Sequence, residues 1–591
     1  MCSAASTARG GTDDRMITVE FDAPATMRDG TVLRANVFRP TNEGSYPVAL
    51  TRTPYGKDYA SASPVLDAVR LARDGYIVVI QDVRGRFASD GEWAPYRHDG
   101  HDGYDTVEWA SALPGSDGAV GMFGASYYGF TQWVAAVERP PHLKAMIPFI
   151  TWSDSRDGGT WRGGSFELGK LAYWQVTAIA FDVLRRRHKD APRAELGAAM
   201  VALVREIDTL AAQGYLSLPL KDFAPFERLG IAPELAGLVA RPYDPADNRP
   251  YSVAASYDRI EVPAYNVGGW YDIFAQGTLH NFTALRQDGA TPEVRRARLL
   301  MGPWSHVNYG GVVGDMDFGF TSALAFMNLQ GDLTGLTGRW FDHWLKGIDN
   351  GVTDEPPVKL FIMGENRWRD ESEWPLARAE YTPFYLHSDG GHGGGALSRE
   401  APGDETPDRY TYDPADPVPT LGGAILMNGL YGPGVKDQRP IEARPDVLVY
   451  TSAPLAEDTE VTGPIVVKLW AISDAPDTDW VARLVDAHPD GFAQNLTDGV
   501  IRARYRDGDT SKPIEPGQAY EYTIDLWSTA NVFKAGHRVR LDVTSSCFPR
   551  WDRNPNTGAP FGHETELRPA HQTILHDRAH PSHVALPIIP R

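Results

Sequence analysis

Four short runs in the first 150 residues, YPVALT (46–51), YIVVIQ (76–81), VGMF (120–123) and KAMIPFI (144–150), are largely continuous in apolar residues and do not alternate with polar ones. A strand with one wet face must alternate, so runs like these belong to strands covered on both faces. Helix-like stretches lie between them, and the alternation predicts a mostly parallel sheet with helices on both sides. From about Asp154 to Arg249 the character changes to Ala-, Leu-, Arg- and Glu-rich sequence with helical spacing over 203–212. The strand pattern resumes at VPAYNV (262–267) and RLLM (298–301), so the helical stretch reads as an insertion into one sheet. The expected organisation is an α/β domain over 1–153 and 250–357 interrupted by a helical cap over 154–249.

Beyond Val358 the reading becomes all-β, with short strands at 359–363, 465–472, 480–486, 501–505, 520–526 and 539–544 between Gly, Pro and Asp clusters. A two-sheet sandwich or jelly roll over 358–591 fits that spacing. A chain of 591 residues is long enough for about three or four such units. The net charge of −20 disfavours nucleic-acid and anionic-membrane partners. No apolar run approaches bilayer length, 1–15 has no apolar leader core, and two cysteines, Cys2 and Cys547, make no disulfide framework. A cytoplasmic protein is expected, and a homodimer is compatible with the chain. The glycine-rich patch 389–395, which contains His392, reads as a loop tip.

Gly124-Ala125-Ser126-Tyr127-Tyr128-Gly129 approaches the G-x-S-x-G nucleophile elbow with its second glycine one place late. It sits between a buried strand and a helix at 130–137, where a sharp turn can hold a serine hydroxyl above the sheet. A hydroxyl needs a base, and in this arrangement the order along the chain is serine, acid, histidine. His98 and His101 precede Ser126, whereas His306 follows the late strand 298–301 and Asp272 follows 262–267. Each alone also fits a bland role, His306 packed on Trp304 and Asp272 as a helix N-cap; together, at three strand ends, they suit acyl transfer. One oxyanion donor would be the Tyr127 backbone amide. The second falls to a side chain after the early strand, where Tyr55 offers a phenol, although an aromatic packed in a loop suits that position equally.

These segments, with MRDGTVLRANVFRP, RTPYGK, DGYIVVIQDVRGRFASDGE, GMFGASYYGFTQW, GGWYD, GPWSH, YDPADPVPTLGG, GHRVRLDVTSS and HPSHVALPII, resemble the cocaine esterase and X-Pro dipeptidyl-peptidase family of serine hydrolases over nearly the whole chain. The resemblance implies an α/β-hydrolase with an inserted helical cap and a C-terminal jelly roll. It further implies Ser126, Asp272 and His306 as triad, the Tyr55 hydroxyl and Tyr127 amide as oxyanion hole, and Trp161, Trp174, Phe274, Leu426 and Met427 as an aromatic and apolar acyl pocket. The expected activity is hydrolysis of a small-molecule ester with an aromatic, uncharged acyl group, without a cofactor. The rival readings are an α-amino-acid ester hydrolase or X-Pro dipeptidyl peptidase, and a binding protein with an inert hydrolase domain. Metal binding by His576, His580 and His583 is not expected, and the basic run RRRHK (185–189) reads as a solvated helix face.

Overall fold

A computed structural model describes residues 16–60, 67–233, 237, 239, 251–327, 331–388, 390, 393–427 and 429–590. Residues 1–15 with Cys2, Asp389, His392 and the insertion's expected end at Arg249 lie outside the described residues. Ten strands form the first sheet, introduced here in chain order: β1 (Ile17–Thr26), β2 (Val32–Pro40), β3 (Tyr46–Thr53), β4 (Ile77–Asp82), β5 (Ser116–Ala125), β6 (Leu143–Phe149), β7 (Tyr265–Tyr271), β8 (Arg298–Ser305), β9 (Val358–Ile362) and β10 (Arg367–Glu371). Their spatial order is β1-β2-β4-β3-β5-β6-β7-β8-β9-β10. The strands from β4 to β9 run parallel; the β1–β2 hairpin and β10 close the two edges antiparallel.

Both faces are covered, as the continuous apolar runs require. Helices α1 (Asp99–Ser111), α2 (Ser126–Val137) and α6 (Ala275–Asp288) place Val107, Phe130, Trp133, Phe282 and Leu285 on one side. Helix α7 (Leu333–Trp344) packs Trp340 and Phe341 on the other. Between β6 and β7 the chain forms α3 (Leu168–Trp174), α4 (Ala180–Arg187) and α5 (Arg193–Thr209), whose apolar residues share a separate cluster around Val176, Leu184, Leu203 and Phe226.

Three local readings are corrected. The stretch 359–363, expected in the β-rich region, instead belongs with the first sheet, where β9 pairs in parallel with β8, Leu299 facing Val358; a short, mostly apolar run carries no mark of which sheet will receive it. The strand read at 501–505 ends at Arg502, and Ala503–Tyr505 is a single 3₁₀ turn. That turn aims Arg504 at Asp477 (2.7 Å), while Arg502 reaches Asp479 and Asp552. The strand expected at 298–301 runs on through Gly302-Pro303-Trp304-Ser305; the register with β7 shifts between Gly302 and Ser305, an irregularity that accommodates a proline lacking an N–H.

The basic run at 185–189 is partly solvated, with Arg185, Arg187 and Lys189 exposed, but its arginines also bind loop carbonyls. Arg186 donates to the carbonyls of Phe87, Ser89 and Gly91, Arg185 to that of Phe87, and Arg187 to those of Leu229 and Gly230. From the facing loop, the buried Arg86 donates to Pro54 and Ile179, and the Phe87 amide donates to Asp182. The segment VRGRFASDG is thus the seat of the inserted helices.

From Glu380 onward the chain forms an eleven-stranded, mostly antiparallel assembly whose longest pair is Thr459–Ser473 with Tyr520–Phe533. Its inward residues, among them Leu469, Trp480 and Leu541, belong to the same apolar cluster as Val48 and Phe361 of the first sheet.

Candidate active site

Ser126 is the first residue after β5 and the first of α2, with φ of 54°. A left-handed backbone costs an L-residue roughly 1–2 kcal/mol, so it persists only where the surroundings impose it. They do here. At Gly124, φ is 141° and a Cβ would fall 2.3 Å from the Tyr128 ring; at Gly129 it would fall 2.9 Å from Thr151 and 3.0 Å from the Phe149 carbonyl. The late second glycine therefore lets α2 lie directly against β6, the demand that the stricter motif meets one residue earlier.

Asp272 and His306 are likewise the first residues past β7 and β8. Parallel neighbouring strands bring these carboxyl ends to one edge. His306 Nε2 lies 2.9 Å from Ser126 Oγ and its Nδ1 lies 2.6 Å from Asp272 Oδ2. Asp272 is fully buried; its other oxygen accepts the Phe274 amide at 2.7 Å, and Tyr309 donates to the His306 carbonyl at 2.6 Å. Both ends of the imidazole are thereby fixed.

Tyr55 follows β3, and its hydroxyl accepts from Trp174 Nε1 of α3 at 3.0 Å, leaving the O–H free to donate toward the serine. Burial pushes the phenol above its ordinary pKa, so it stays protonated as a donor should. The Tyr127 side chain runs the other way, donating to Asp99 at 2.6 Å and accepting from the Tyr96 amide at 3.0 Å. Asp99 sits 3.5 Å from the buried Arg52. This anchor fixes the Tyr127 backbone, whose amide lies in the first turn of α2, where helical N–H groups have no partner within the helix.

A cavity with about 680 Å³ of free space, its mouth included, opens on Ser126, Tyr55 and Tyr127. Trp174, Phe274 and Leu426 line it. Trp161 and Met427 do not. Trp161 packs on Phe166 and Phe561, and Met427 is buried against Gly169, because both fill the seam between inserted helices and β-rich region. The wall instead includes Tyr96, Trp152, Tyr251 and Lys170, which sequence reading missed. Tyr96 and Trp152 meet edge to face at 5.2 Å, and Trp152 stacks on Phe130 at 4.4 Å. The apolar neighbours of Lys170 in LGKLAYW were the available signal that this lysine faces inward.

The C-terminal histidines are dispersed among separate partners: His576 lies against Asp408 and Glu405, His580 against Asp577, and His583 against the Pro581 carbonyl. Among the described residues the group with metal-compatible spacing is Asp486, His488 and His537. None of the three lines the cavity; His537 Nδ1–H donates to Asp486 at 2.8 Å, and its ring lies 4.3 Å from that of His488.

Residues 29–308 match the family model for X-Pro dipeptidyl-peptidase (S15 family), and residues 350–585 that for the X-Pro dipeptidyl-peptidase C-terminal non-catalytic domain. Cocaine esterase of Rhodococcus sp. (strain MB1 Bresler) is 39% identical over 589 residues, covering 98% of this chain and all of that protein. Among solved structures, an α-amino acid ester hydrolase superposes with a TM-score of 0.79 at 26% identity, covering 99% of this chain and 98% of that one. An aminopeptidase from a marine sediment archaeon, Thaumarchaeota archaeon, gives 0.78 at 26%, covering 100% and 99%. The fold is a hydrolase fold with a C-terminal non-catalytic domain rich in β-strands, and the chain is a serine hydrolase acting on ester bonds. It belongs to the cocaine esterase and X-Pro dipeptidyl-peptidase family. Among the described residues no helix is long and apolar enough to cross a membrane.

Proposed function

We propose that the protein hydrolyses carboxylic esters with an uncharged aromatic acyl group through an acyl-enzyme on Ser126. The observation that carries this reading is the continuous chain Ser126 Oγ, His306, Asp272, with spacings of 2.9 and 2.6 Å, at the mouth of an aromatic cavity. His306 takes the serine proton as Oγ attacks the ester carbonyl and delivers it to the departing alcohol. Water, activated by the same base, then cleaves the acyl-enzyme. Asp272 holds the imidazole tautomer, and the Tyr55 hydroxyl and Tyr127 amide receive the oxyanion. No step calls for a cofactor.

The architecture in this reading is an α/β-hydrolase unit with the inserted cap and a jelly roll, the hydrolase sheet extending through β10 before the jelly roll begins. Cys547, buried and unbridged, fits a reducing compartment, and we extend the reading to a cytoplasmic enzyme.

Removing one oxyanion donor typically costs roughly 10²–10³ in kcat. Tyr55→Phe is expected to fall in that range with little change in KM, measured on a chromogenic aryl ester; near wild-type kcat would exclude the phenol.

Acyl choice separates this reading from the amino-acyl rivals. Asp272 is followed by Ile273-Phe274-Ala275-Gln276, without a carboxylate, and the cavity wall carries a cation, Lys170. An ammonium entering there meets an aromatic face and a like charge, and cation–π contact of about 0.5–2 kcal/mol does not offset several kcal/mol of desolvation. Phenylacetyl methyl ester is therefore expected to exceed phenylglycyl methyl ester at least about tenfold in kcat/KM where the amine is protonated, a gap of about 1.4 kcal/mol. Equal turnover would favour the α-amino-acid ester hydrolase reading.

A further inference from the structure

Lys170 lies on α3 with 5% of its surface exposed and lines the cavity that opens on Ser126. Its ammonium donates to the carbonyls of Gly158 and Gly159 and stands 5.0 Å from the centre of the Phe274 ring, which itself meets His306 edge to face at 5.3 Å. Those carbonyls belong to an irregular turn, Ser155–Gly159, in which Gly158 has φ of 84°. The turn is held from the β-rich region: Trp527 Nε1 donates to Asp157 at 2.8 Å, and the Arg162 guanidinium lies 3.7 Å over the Trp527 ring. The ammonium is therefore seated on a turn that is itself tied to the β-rich region.

A buried cation ordinarily has a carboxylate partner. Among the described residues none lies within ion-pair distance of Lys170. The two carboxylates whose fields reach it are already engaged, Glu167 by the Trp551 indole at 2.9 Å and Asp272 by His306 and the Phe274 amide. Arg550 opposes it and is paired with Asp498. Burial lowers the Lys170 pKa to about 8, which leaves most of the population charged at neutral pH. Two carbonyls satisfy two of its three N–H groups and supply no full negative charge.

We propose that Lys170 is an anion-binding subsite of the acyl pocket, which takes acyl groups bearing a carboxylate, as in half-esters of aromatic dicarboxylic acids. This rests on the reading of the cavity as the acyl pocket and extends it from uncharged acyl groups to those that bring the missing counter-charge. A carboxylate on the substrate ring completes an ion pair in a dry site, where the enclosure strengthens it and a charge-assisted N–H···O bond fixes its direction.

The test compares kcat/KM for methyl benzoate, for the monomethyl esters of benzene-1,3- and benzene-1,4-dicarboxylic acid, and for methyl 4-acetylbenzoate, a neutral acceptor. The enzymes are wild type, Lys170→Met and Lys170→Gln. At least one half-ester is expected to match or exceed methyl benzoate in the wild type, and both substitutions should lower that ratio at least tenfold while the ratio of the acetyl ester to methyl benzoate moves less than threefold, whatever the change common to all three. An unchanged ratio in the variants, even with all rates reduced, would make Lys170 a tether for the Gly158–Gly159 turn and overturn the proposal. So would an acetyl ester that follows the half-ester. If the variants do not fold, inhibition of the wild type by terephthalate against benzoate gives the same comparison, with equal inhibition as the overturning result. Failure of the wild type on methyl benzoate and both half-esters, with turnover of aliphatic esters, would instead strike the aromatic-acyl reading.

Discussion

Ser126→Ala is expected to lower kcat by about 10⁴–10⁶ and to leave the fold intact, the remainder coming from the oxyanion donors and substrate positioning. The argument is local. Ser126 holds φ of 54° because Gly124, Gly129 and the β5–α2 turn impose it. Alanine meets the same backbone strain as serine, so the folded state loses only the Oγ to His306 hydrogen bond, worth about 1 kcal/mol. Glycine at the same position separates chemistry from strain. It relieves roughly 1–2 kcal/mol of left-handed backbone cost against about 0.5–1 kcal/mol of added chain entropy. Ser126→Gly should therefore be as inactive as the alanine variant and melt at no lower temperature, a comparison readable by thermal scans at one protein concentration. A fluorophosphonate should label Ser126 in the wild type and neither variant, checked by peptide mass spectrometry. Label on another serine, or turnover within tenfold of wild type in either variant, would remove Ser126 from the mechanism.

What the sequence made legible follows from the strength of local constraints. β4 and β7 are buried at every position, and their runs are apolar enough, Ile77–Ile80 without a break, to be found despite the buried Gln81, Asp82 and Asn266. Ser126, Asp272 and His306 each stand one residue beyond such a strand, and chain order did the rest. The pocket was less legible because its wall is assembled from α3, the β4–α1, β6–α3 and β7–α6 connections and the β-rich region, between which no sequence spacing is kept. Trp161 and Leu426 look alike as isolated apolar residues; one packs on Phe561 and the other lines the cavity. Charged residues misled in the opposite direction. Arg185 and Arg187 are exposed as a solvated face requires, yet with Arg186 they also donate to loop carbonyls, and Lys170 carries no mark in the sequence of the burial its helix imposes. Solvation is the default expectation for Lys and Arg, and its exceptions depend on carbonyls distant in the chain.

Asp272→Asn should lower kcat by about 10⁴ at neutral pH, a larger loss than its near-identical shape suggests. One Asp272 oxygen accepts the Phe274 amide at 2.7 Å and the other faces His306 Nδ1 at 2.6 Å. A carboxylate accepts at both places; an amide has one oxygen and one NH₂ group. Phe274 N–H is a fixed backbone donor at the entry to α6, so the asparagine oxygen must stay there, because turning the NH₂ toward it leaves two buried donors face to face. The NH₂ then points at Nδ1, which can only accept, and the imidazole proton moves to Nε2. In that tautomer Nε2 carries hydrogen toward Ser126 Oγ and has no lone pair to take the serine proton. The substitution thus removes the base without moving an atom of the backbone, and KM should change far less than kcat. Asp272→Ala gives the needed contrast: it leaves the Phe274 amide unpaired in a buried site, at about 1–3 kcal/mol, but does not force the wrong tautomer. The asparagine variant should be the more stable of the two and no more active, measured by thermal unfolding and by turnover of the same aryl ester. An Asp272→Asn enzyme within tenfold of wild type would show that the His306 tautomer is not set by the partner of its Nδ1 and would remove Asp272 from its assigned role.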